Sequence, residues 1–189
     1  MSESRRSFLR HSAAGALLLT FNLGGCEKKL TPADARAVGV KYRTLTQVEV
    51  TTLEALGDVL VPGSSKRGLA HFVDHQLSGD PADSMLMLKY LRVPPPFTDF
   101  YRAGLKSVES SAQAEFGTSM ARLTAEQGTA LVTKMSAGTL KAWGGPPAPF
   151  FFFVLRNDSV DVTFGTQQGF EQLGVPYMAH IPPPSPWGT

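Results

Sequence analysis

Cysteine is nearly absent from this chain of 189 residues, in which Cys26 is the single one. A chain with one cysteine cannot form an internal disulfide, and it cannot by itself ligate an iron–sulfur cluster. The Cys-x-x-Cys-His motif that attaches c-type haem is missing for the same reason. The fold must therefore be held together by packing, which a hydrophobic content of 42% can supply.

The motifs that mark catalytic or cofactor sites are also missing. No Gly-x-Gly-x-x-Gly follows a strand pattern, and no Gly-x-Ser-x-Gly elbow occurs. Asp158 and Asp161 are spaced for one helix face, but such carboxylates more often solvate a helix than catalyse. We therefore predict that the chain has no catalytic, cofactor-binding or metal-binding residue.

Two histidines are the only pattern that suggests a metal ion. His71 and His75 stand at positions i and i+4 and share a helix face, with Asp74 or the distant His180 as a third ligand. Phe72 occupies the position of the glutamate in a His-Glu-x-x-His hydrolase. Solvated histidines on a polar helix face explain the pair better than a metal site does.

A large excess of positive charge is missing from the body of the chain. The formal net charge is +2, and residues 1–25 alone carry three arginines against one glutamate, also +2. Residues 26–189 are therefore neutral overall, and their lysines and arginines are scattered rather than arranged in a stripe. Such a surface does not favour nucleic acid as a partner.

The N-terminus has the pattern of an export leader. Arg5 and Arg6, followed by Phe8 and Leu9, resemble the twin-arginine (Tat) consensus, which a receptor recognises as an address. The apolar run Ala13–Leu23 that follows is too short for a membrane-spanning helix, which needs about 20 apolar residues. Because the Tat route carries folded cargo, the pattern predicts export to the periplasm, with an ordinary basic leader as the alternative.

The leader ends in a sequence that resembles a lipobox. Leu23-Gly24-Gly25 precede Cys26, so we predict a signal peptide over residues 1–25, with Cys26 as the lipidated first residue of the mature chain. The alternative is a chance cysteine beside a cleavage site of small residues. Lipidation would anchor the mature protein to a membrane.

The remaining residues predict one compact helical bundle. Residues 26–45 have the composition of a tether, and a capping box of Thr46 and Glu49 opens the helical domain, predicted over residues 46–165. Apolar residues then recur at helical spacing and strand-like alternation is scarce, so the fold class is all-α. Residues 166–189 are rich in glycine and proline, which predicts an irregular tail that packs on the domain or on a partner.

Aromatic residues near the C-terminus suggest a surface for a partner. Four consecutive helical positions point around most of a turn, so one contact cannot bury all of Phe150–Phe153. We expect two or three of these rings in the core and the remainder against a partner, with a buried strand as the alternative conformation. The predicted interface consists of Phe150, Phe151, Phe164, Phe170, Tyr177 and Trp187.

Several segments, taken in order, resemble the gluconate 2-dehydrogenase subunit 3 family. The resemblance covers roughly residues 45–187 and lies more in the order of diffuse helical motifs than in any one residue. Its marks are Leu45-Thr46 with Glu49, Leu60-Val61-Pro62, Phe72-Val73-Asp74-His75-Gln76-Leu77, Phe97 through Tyr101, Leu123-Thr124-Ala125-Glu126-Gln127, Pro149-Phe150-Phe151-Phe152-Phe153-Val154-Leu155-Arg156 and Gly174-Val175-Pro176-Tyr177.

The resemblance implies a small accessory subunit without catalytic activity. Its partner would be a large FAD-containing subunit of the glucose–methanol–choline oxidoreductase type, and a cytochrome c subunit carrying haem c often accepts the electrons. The small subunit would supply the export signal and support maturation of the flavoprotein. This chain departs from the family at residues 162–167, where the family often has Asp-Pro and paired glycines. The alternatives are a free-standing lipoprotein binding module and a metal-dependent enzyme that uses His71 and His75.

Overall fold

The computed structural model describes residues 17–174, and over this range the chain forms eight α-helices, two 3₁₀ turns and one β-hairpin. The strands are β1 (Leu19–Leu23) and β2 (Cys26–Leu30). The helices are α1 (Pro32–Ala37), α2 (Gln47–Leu60), α3 (Leu69–Ser78), α4 (Met87–Tyr90), α5 (Phe97–Phe116), α6 (Ala125–Ala137), α7 (Ala148–Phe164) and α8 (Gln167–Gln172). The 3₁₀ turns are Pro81–Asp83 and Met120–Arg122.

The helix boundaries follow local capping signals. The Thr46 side chain accepts the Glu49 N–H while Glu49 accepts the Thr46 N–H, as the sequence predicts, and Thr124 with Gln127 repeats the arrangement at the start of α6. Helix α5 ends at Gly117, where the backbone adopts a φ of +69° that favours glycine. The Phe150–Phe153 run lies in helix α7, so the strand alternative is wrong.

Helix α7 runs through the core and packs against α2, α3, α4, α6 and α8. Phe151 on this helix is fully buried against α5, at a point where α5 presents Gly104. A Cβ atom at Gly104 would lie 2.1 Å from Cε2 of Phe151, so the absent side chain lets the ring close against the helix.

The all-α prediction is correct for the bulk of the chain but misses the hairpin. Strand β1 pairs antiparallel with β2, from Leu19 opposite Leu30 to Leu23 opposite Cys26. Leu19 and Phe21 face the core at alternate positions. Apolar Leu19, Phe21 and Leu23 alternate with polar Thr20 and Asn22 in the sequence, but the prediction assigned this segment to the apolar part of the leader. Strand β1 lies within the segment predicted as the leader.

Residues 26–45 are not a free tether, contrary to the prediction. Thr31 caps helix α1, and Ala35 on that helix is fully buried. Val40 and Leu45 in the segment that follows are also part of the core. The sequence marks the start of α1 by Thr31 with Pro32 at the first helical position, whereas the burial of Ala35, Val40 and Leu45 required the tertiary structure.

The beginning of the predicted irregular tail is helical. Thr166 caps α8 by accepting the Gly169 N–H, and α8 packs on α7. Residues 175–189, which make up most of the tail, lie outside the described part of the chain. Among residues 17–174, no helix is long and apolar enough to cross a membrane.

Candidate functional site

The two histidines of α3 hold neighbouring segments of the chain in place. His71 is buried, its Nε2 lies 3.0 Å from the carbonyl oxygen of Val40, and the Tyr42 hydroxyl lies 3.3 Å from its Nδ1. Because a carbonyl only accepts, Nε2–H donates to Val40, and Nδ1 is left to accept from Tyr42. Burial lowers the pKa of His71, which keeps the ring neutral in this arrangement.

His75 makes the corresponding contact to the hairpin. Its Nε2 lies 3.1 Å from the carbonyl oxygen of Thr20, and the Phe21 ring meets the imidazole edge-on, with ring centroids 5.1 Å apart. Burial lowers the pKa of His75 as well. The prediction of solvated histidines on a polar face is therefore wrong, because both rings pack against neighbouring segments. Among residues 17–174, no three side chains are grouped as ligands for a metal ion.

Asp74, considered above as a third metal ligand, organises the chain that leads into α2. Its carboxylate accepts the backbone N–H groups of Arg43, Thr44 and Leu45, each at 2.8 Å. The side chain is buried, and its oxygens are occupied by these amides. Asp74 therefore fixes the turn that precedes the capping box of α2, a role that its place in the sequence does not reveal.

A second buried carboxylate joins three helices. Asp158 on α7 accepts the hydroxyl of Tyr101 on α5, and its other oxygen accepts the N–H of Met87 at the start of α4, at 2.8 Å. Burial raises the pKa of Asp158 to about 7, although its two hydrogen bonds act in the opposite direction. The prediction of a solvated carboxylate holds for Asp161, which is exposed, and is wrong for Asp158.

The sequence contained a signal for the burial of Asp158. This residue follows Phe151 and Val154 at helical spacing and precedes Val162 by one turn, and all three are core residues. A carboxylate on an apolar helix stripe indicates burial with hydrogen-bond partners. The identity of those partners, Tyr101 and the Met87 amide, required the tertiary structure.

The predicted aromatic interface is only partly at the surface. Phe151 is fully buried and leaves no surface for a partner, so its place in that interface is wrong. Phe150, Phe164 and Phe170 are half-buried, whereas Tyr177 and Trp187 lie outside the described residues. The expectation of two or three core rings in the run agrees with a buried Phe151 and half-buried Phe150 and Phe152.

The exposed face of α7 includes an aromatic residue that the predicted interface omits. Phe153 is 44% exposed, and Val160 and Phe164 follow it on the same helix face at spacings of seven and four residues. Val160 and Phe164 are half-buried, so the three side chains together leave a partly exposed apolar stripe on this helix. We refer to Phe153, Val160 and Phe164 as the α7 stripe.

The predicted lipidation site lies at the tip of the hairpin. Gly24 and Gly25 form a two-residue turn with φ values of +62° and +85°, and Cys26 is exposed directly after it. The Asn22 side chain accepts the Gly25 N–H at 3.1 Å. Residues Arg5, Arg6, Phe8 and Leu9 of the predicted Tat motif lie outside the described part of the chain.

The comparisons with known proteins support one family. The sequence model described as gluconate 2-dehydrogenase subunit 3 matches residues 47–182, most of the chain. Searches of curated proteins and of solved structures gave no match. The match includes helices α2 to α8 and begins one residue after the cap of α2. The chain therefore belongs to the gluconate 2-dehydrogenase subunit 3 family.

Proposed function

We propose that this protein is the accessory small subunit of a periplasmic flavin-dependent dehydrogenase that oxidises a sugar, a sugar acid or an alcohol. The family is named for the third subunit of such an enzyme, and this membership is the observation that carries the proposal. In this proposal the flavin and the substrate pocket belong to a large subunit of the glucose–methanol–choline oxidoreductase type. A cytochrome c subunit with haem c is a possible third component.

The buried polar groups of the chain support a structural role. His71, His75 and Asp74 bind backbone groups of neighbouring segments, and Asp158 binds Tyr101 and an amide. A catalytic group would need an open position toward a substrate. The side chains that first suggested chemistry are instead engaged in holding the fold.

The α7 stripe is the surface that we propose for contact with the flavoprotein. Aromatic side chains dominate the binding energy of protein interfaces, and Phe153 and Phe164 lie on one helix face. Phe150 and Phe170 are half-buried and could add to the edge of such a contact. The tail residues Tyr177 and Trp187 belong to the same proposal.

Export and anchoring complete the proposed function. The Tat motif at Arg5 and Arg6 would carry the folded subunit together with its partner, which then needs no leader of its own. Lipidation of Cys26, which is exposed, would hold the complex at a membrane on the periplasmic side.

Co-expression with a large flavoprotein subunit of the proposed type tests the proposal. With both Arg5 and Arg6 changed to lysine, the flavoprotein and its FAD should stay in the cytoplasm, whereas they should reach the periplasm with the wild-type subunit. Arg10→Lys, a change of the same kind outside the twin pair, serves as the matched control. A flavoprotein exported and active without this subunit would contradict the proposal and favour a free-standing binding module.

A further inference from the structure

The end of the predicted leader packs on the folded domain. Strand β1 places Leu19 and Phe21 in the core, with exposed fractions of 6% and 5%. The Phe21 ring lies against both histidines of α3, with centroid distances of 6.5 Å to His71 and 5.1 Å to His75. The last apolar residues of the predicted leader are thus enclosed in this fold.

His75 connects α3 to this strand by a hydrogen bond. Its Nε2–H donates to the Thr20 carbonyl, and its Nδ1 is buried without a hydrogen-bond partner among the described residues. The one hydrogen bond that this imidazole makes in the described structure is therefore the bond to β1. Removal of the imidazole weakens the docking of β1 without any change in the leader sequence.

A groove continues from the N-terminal end of the described chain. Its volume is about 290 Å³, and Leu17, Phe72, Met85, Met87 and Tyr90 are among its lining residues. Methionine side chains adapt their shape to apolar ligands. Residues 13–16, Ala-Ala-Gly-Ala, come directly before Leu17, and they are small and uncharged. We take this uncharged segment as the occupant of the groove because it continues from Leu17; the lining of the groove also includes Asp161 and Gly165.

The hairpin also fixes the backbone of the predicted cleavage site, although Gly24, Gly25 and Cys26 are exposed to solvent. Gly24 and Gly25 form the turn, and Leu23 pairs with Cys26 across it. A peptidase cleaves a chain that is locally unfolded and accessible. Separation of β1 from β2 and from His75 of α3 would release the backbone on the leader side of the Gly25–Cys26 bond.

We propose that the folded precursor stores the apolar half of its leader, residues 13–23, on a docking surface formed by α3, β2 and the groove beyond Leu17. Release of this segment precedes recognition by the export receptor and processing at Cys26. In processing, the Cys26 thiol gains a diacylglyceryl group from a phospholipid, whose headgroup phosphate leaves with the proton, and water then hydrolyses the Gly25–Cys26 bond. This inference rests on the proposed export function.

The rate of precursor processing tests the storage of the leader. In pulse-chase labelling of the full chain, His75→Ala should convert precursor to mature protein about five- to ten-fold faster, the effect of losing one hydrogen bond and one ring contact. The processing rate of His75→Gln, whose amide can donate to the Thr20 carbonyl, should lie between the rates of His75→Ala and wild type. Ser78→Ala is the matched control, because the Ser78 hydroxyl donates to a carbonyl within α3. A wild-type rate in His75→Ala would overturn the inference.

Vesicle binding by the purified full-length precursor gives a readout that does not depend on export. Wild-type precursor should stay unbound in flotation with phosphatidylglycerol–phosphatidylethanolamine vesicles, whereas His75→Ala should float with them. Equal flotation of the two would overturn the storage of the leader even if export proves to depend on Arg5 and Arg6. If the precursor is still processed when both arginines are lysine, the Tat route is contradicted but the storage of the leader is not. In that case the flotation experiment by itself decides whether the leader is stored.

Discussion

The hydroxyl of Tyr101 donates a hydrogen bond to the carboxylate of Asp158 at a site where both side chains are fully buried. The other carboxylate oxygen accepts the Met87 N–H, so one acidic group joins α4, α5 and α7. Burial raises the pKa of Tyr101 above its usual value, and the negative charge of Asp158 adds to this shift. The tyrosine therefore keeps its proton, and Asp158 is the member of the pair that titrates near neutral pH.

Stability should fall as pH rises toward neutrality because of Asp158. Its pKa is raised from 3.8 to about 7 on folding, so the native state holds a proton that the unfolded state releases. The free energy of unfolding should fall by up to about 1.4 kcal/mol per pH unit in that interval. Urea titrations between pH 4 and 8 should show a flatter dependence for Asp158→Asn than for wild type, and the exposed Asp99→Asn serves as control. If the free energy of unfolding of wild type and of Asp158→Asn depends on pH in the same way, Asp158 is not the group that causes this pH dependence.

His71 and His75 should have the opposite effect on stability, which they lower as pH falls. The pKa values of His71 and His75 are lowered on folding, so their contribution is complete above the pKa of the unfolded state and is lost as pH falls through the folded values. The free energy of unfolding of His71→Gln, relative to that of wild type at the same pH, should therefore rise as pH falls from 7 to 5. Ser78→Ala, on the same helix, should follow the wild-type curve.

Loss of the Asp74 carboxylate should destabilise the entry to α2. Asp74→Ala leaves three backbone amides without their acceptor, and since the segment is only partly buried we expect a loss of about 2–4 kcal/mol. Asp74→Asn retains one acceptor oxygen and should cost less. Chemical denaturation followed by circular dichroism measures both variants. A loss below that of the exposed control Asp99→Asn would exclude this role for Asp74.

Close packing between α5 and α7 depends on Gly104. Gly104→Ala places a methyl group 2.1 Å from the Phe151 ring, and we expect it to lower stability by about 1–3 kcal/mol despite the better helix propensity of alanine. Gly144→Ala is the control, since nothing lies within 4 Å of its added Cβ. In a double-mutant cycle, Phe151→Leu should recover part of the loss. If the losses of stability in the two single variants simply add in the double variant, residues 104 and 151 do not clash.

Partner binding should depend on Phe153 more than the stability of the subunit does. Phe153 is 44% exposed, so Phe153→Ser should lower the free energy of unfolding by less than about 1 kcal/mol. Its affinity for the flavoprotein, measured by surface plasmon resonance, should fall about ten-fold or more if the ring is an interface anchor. Val48→Ser, at an apolar position on α2 that is 69% exposed, is the matched control. Equal affinities for both variants would remove the α7 stripe from the interface.

The sequence predicted the helices more reliably than it predicted the role of single side chains. Thr46 with Glu49, and Thr124 with Gln127, form their capping boxes over four residues, so these signals do not depend on the rest of the fold. The burial of Phe151 among four consecutive phenylalanines could not be predicted in the same way. It depends on Gly104, 47 positions earlier in the chain, and on how close α5 and α7 lie.

Alone, the sequence determined the helical class, the helix caps, the pattern of an export leader and the resemblance to the family, because these follow from short-range spacing and from the order of motifs. Only the tertiary structure decided that His71 and His75 bind carbonyls, that Asp158 is enclosed with Tyr101, and that β1 packs on α3. The physical reason is that burial and hydrogen-bond partners come from segments distant in sequence. Thr20 and His75 are 55 positions apart, and Tyr101 and Asp158 are 57.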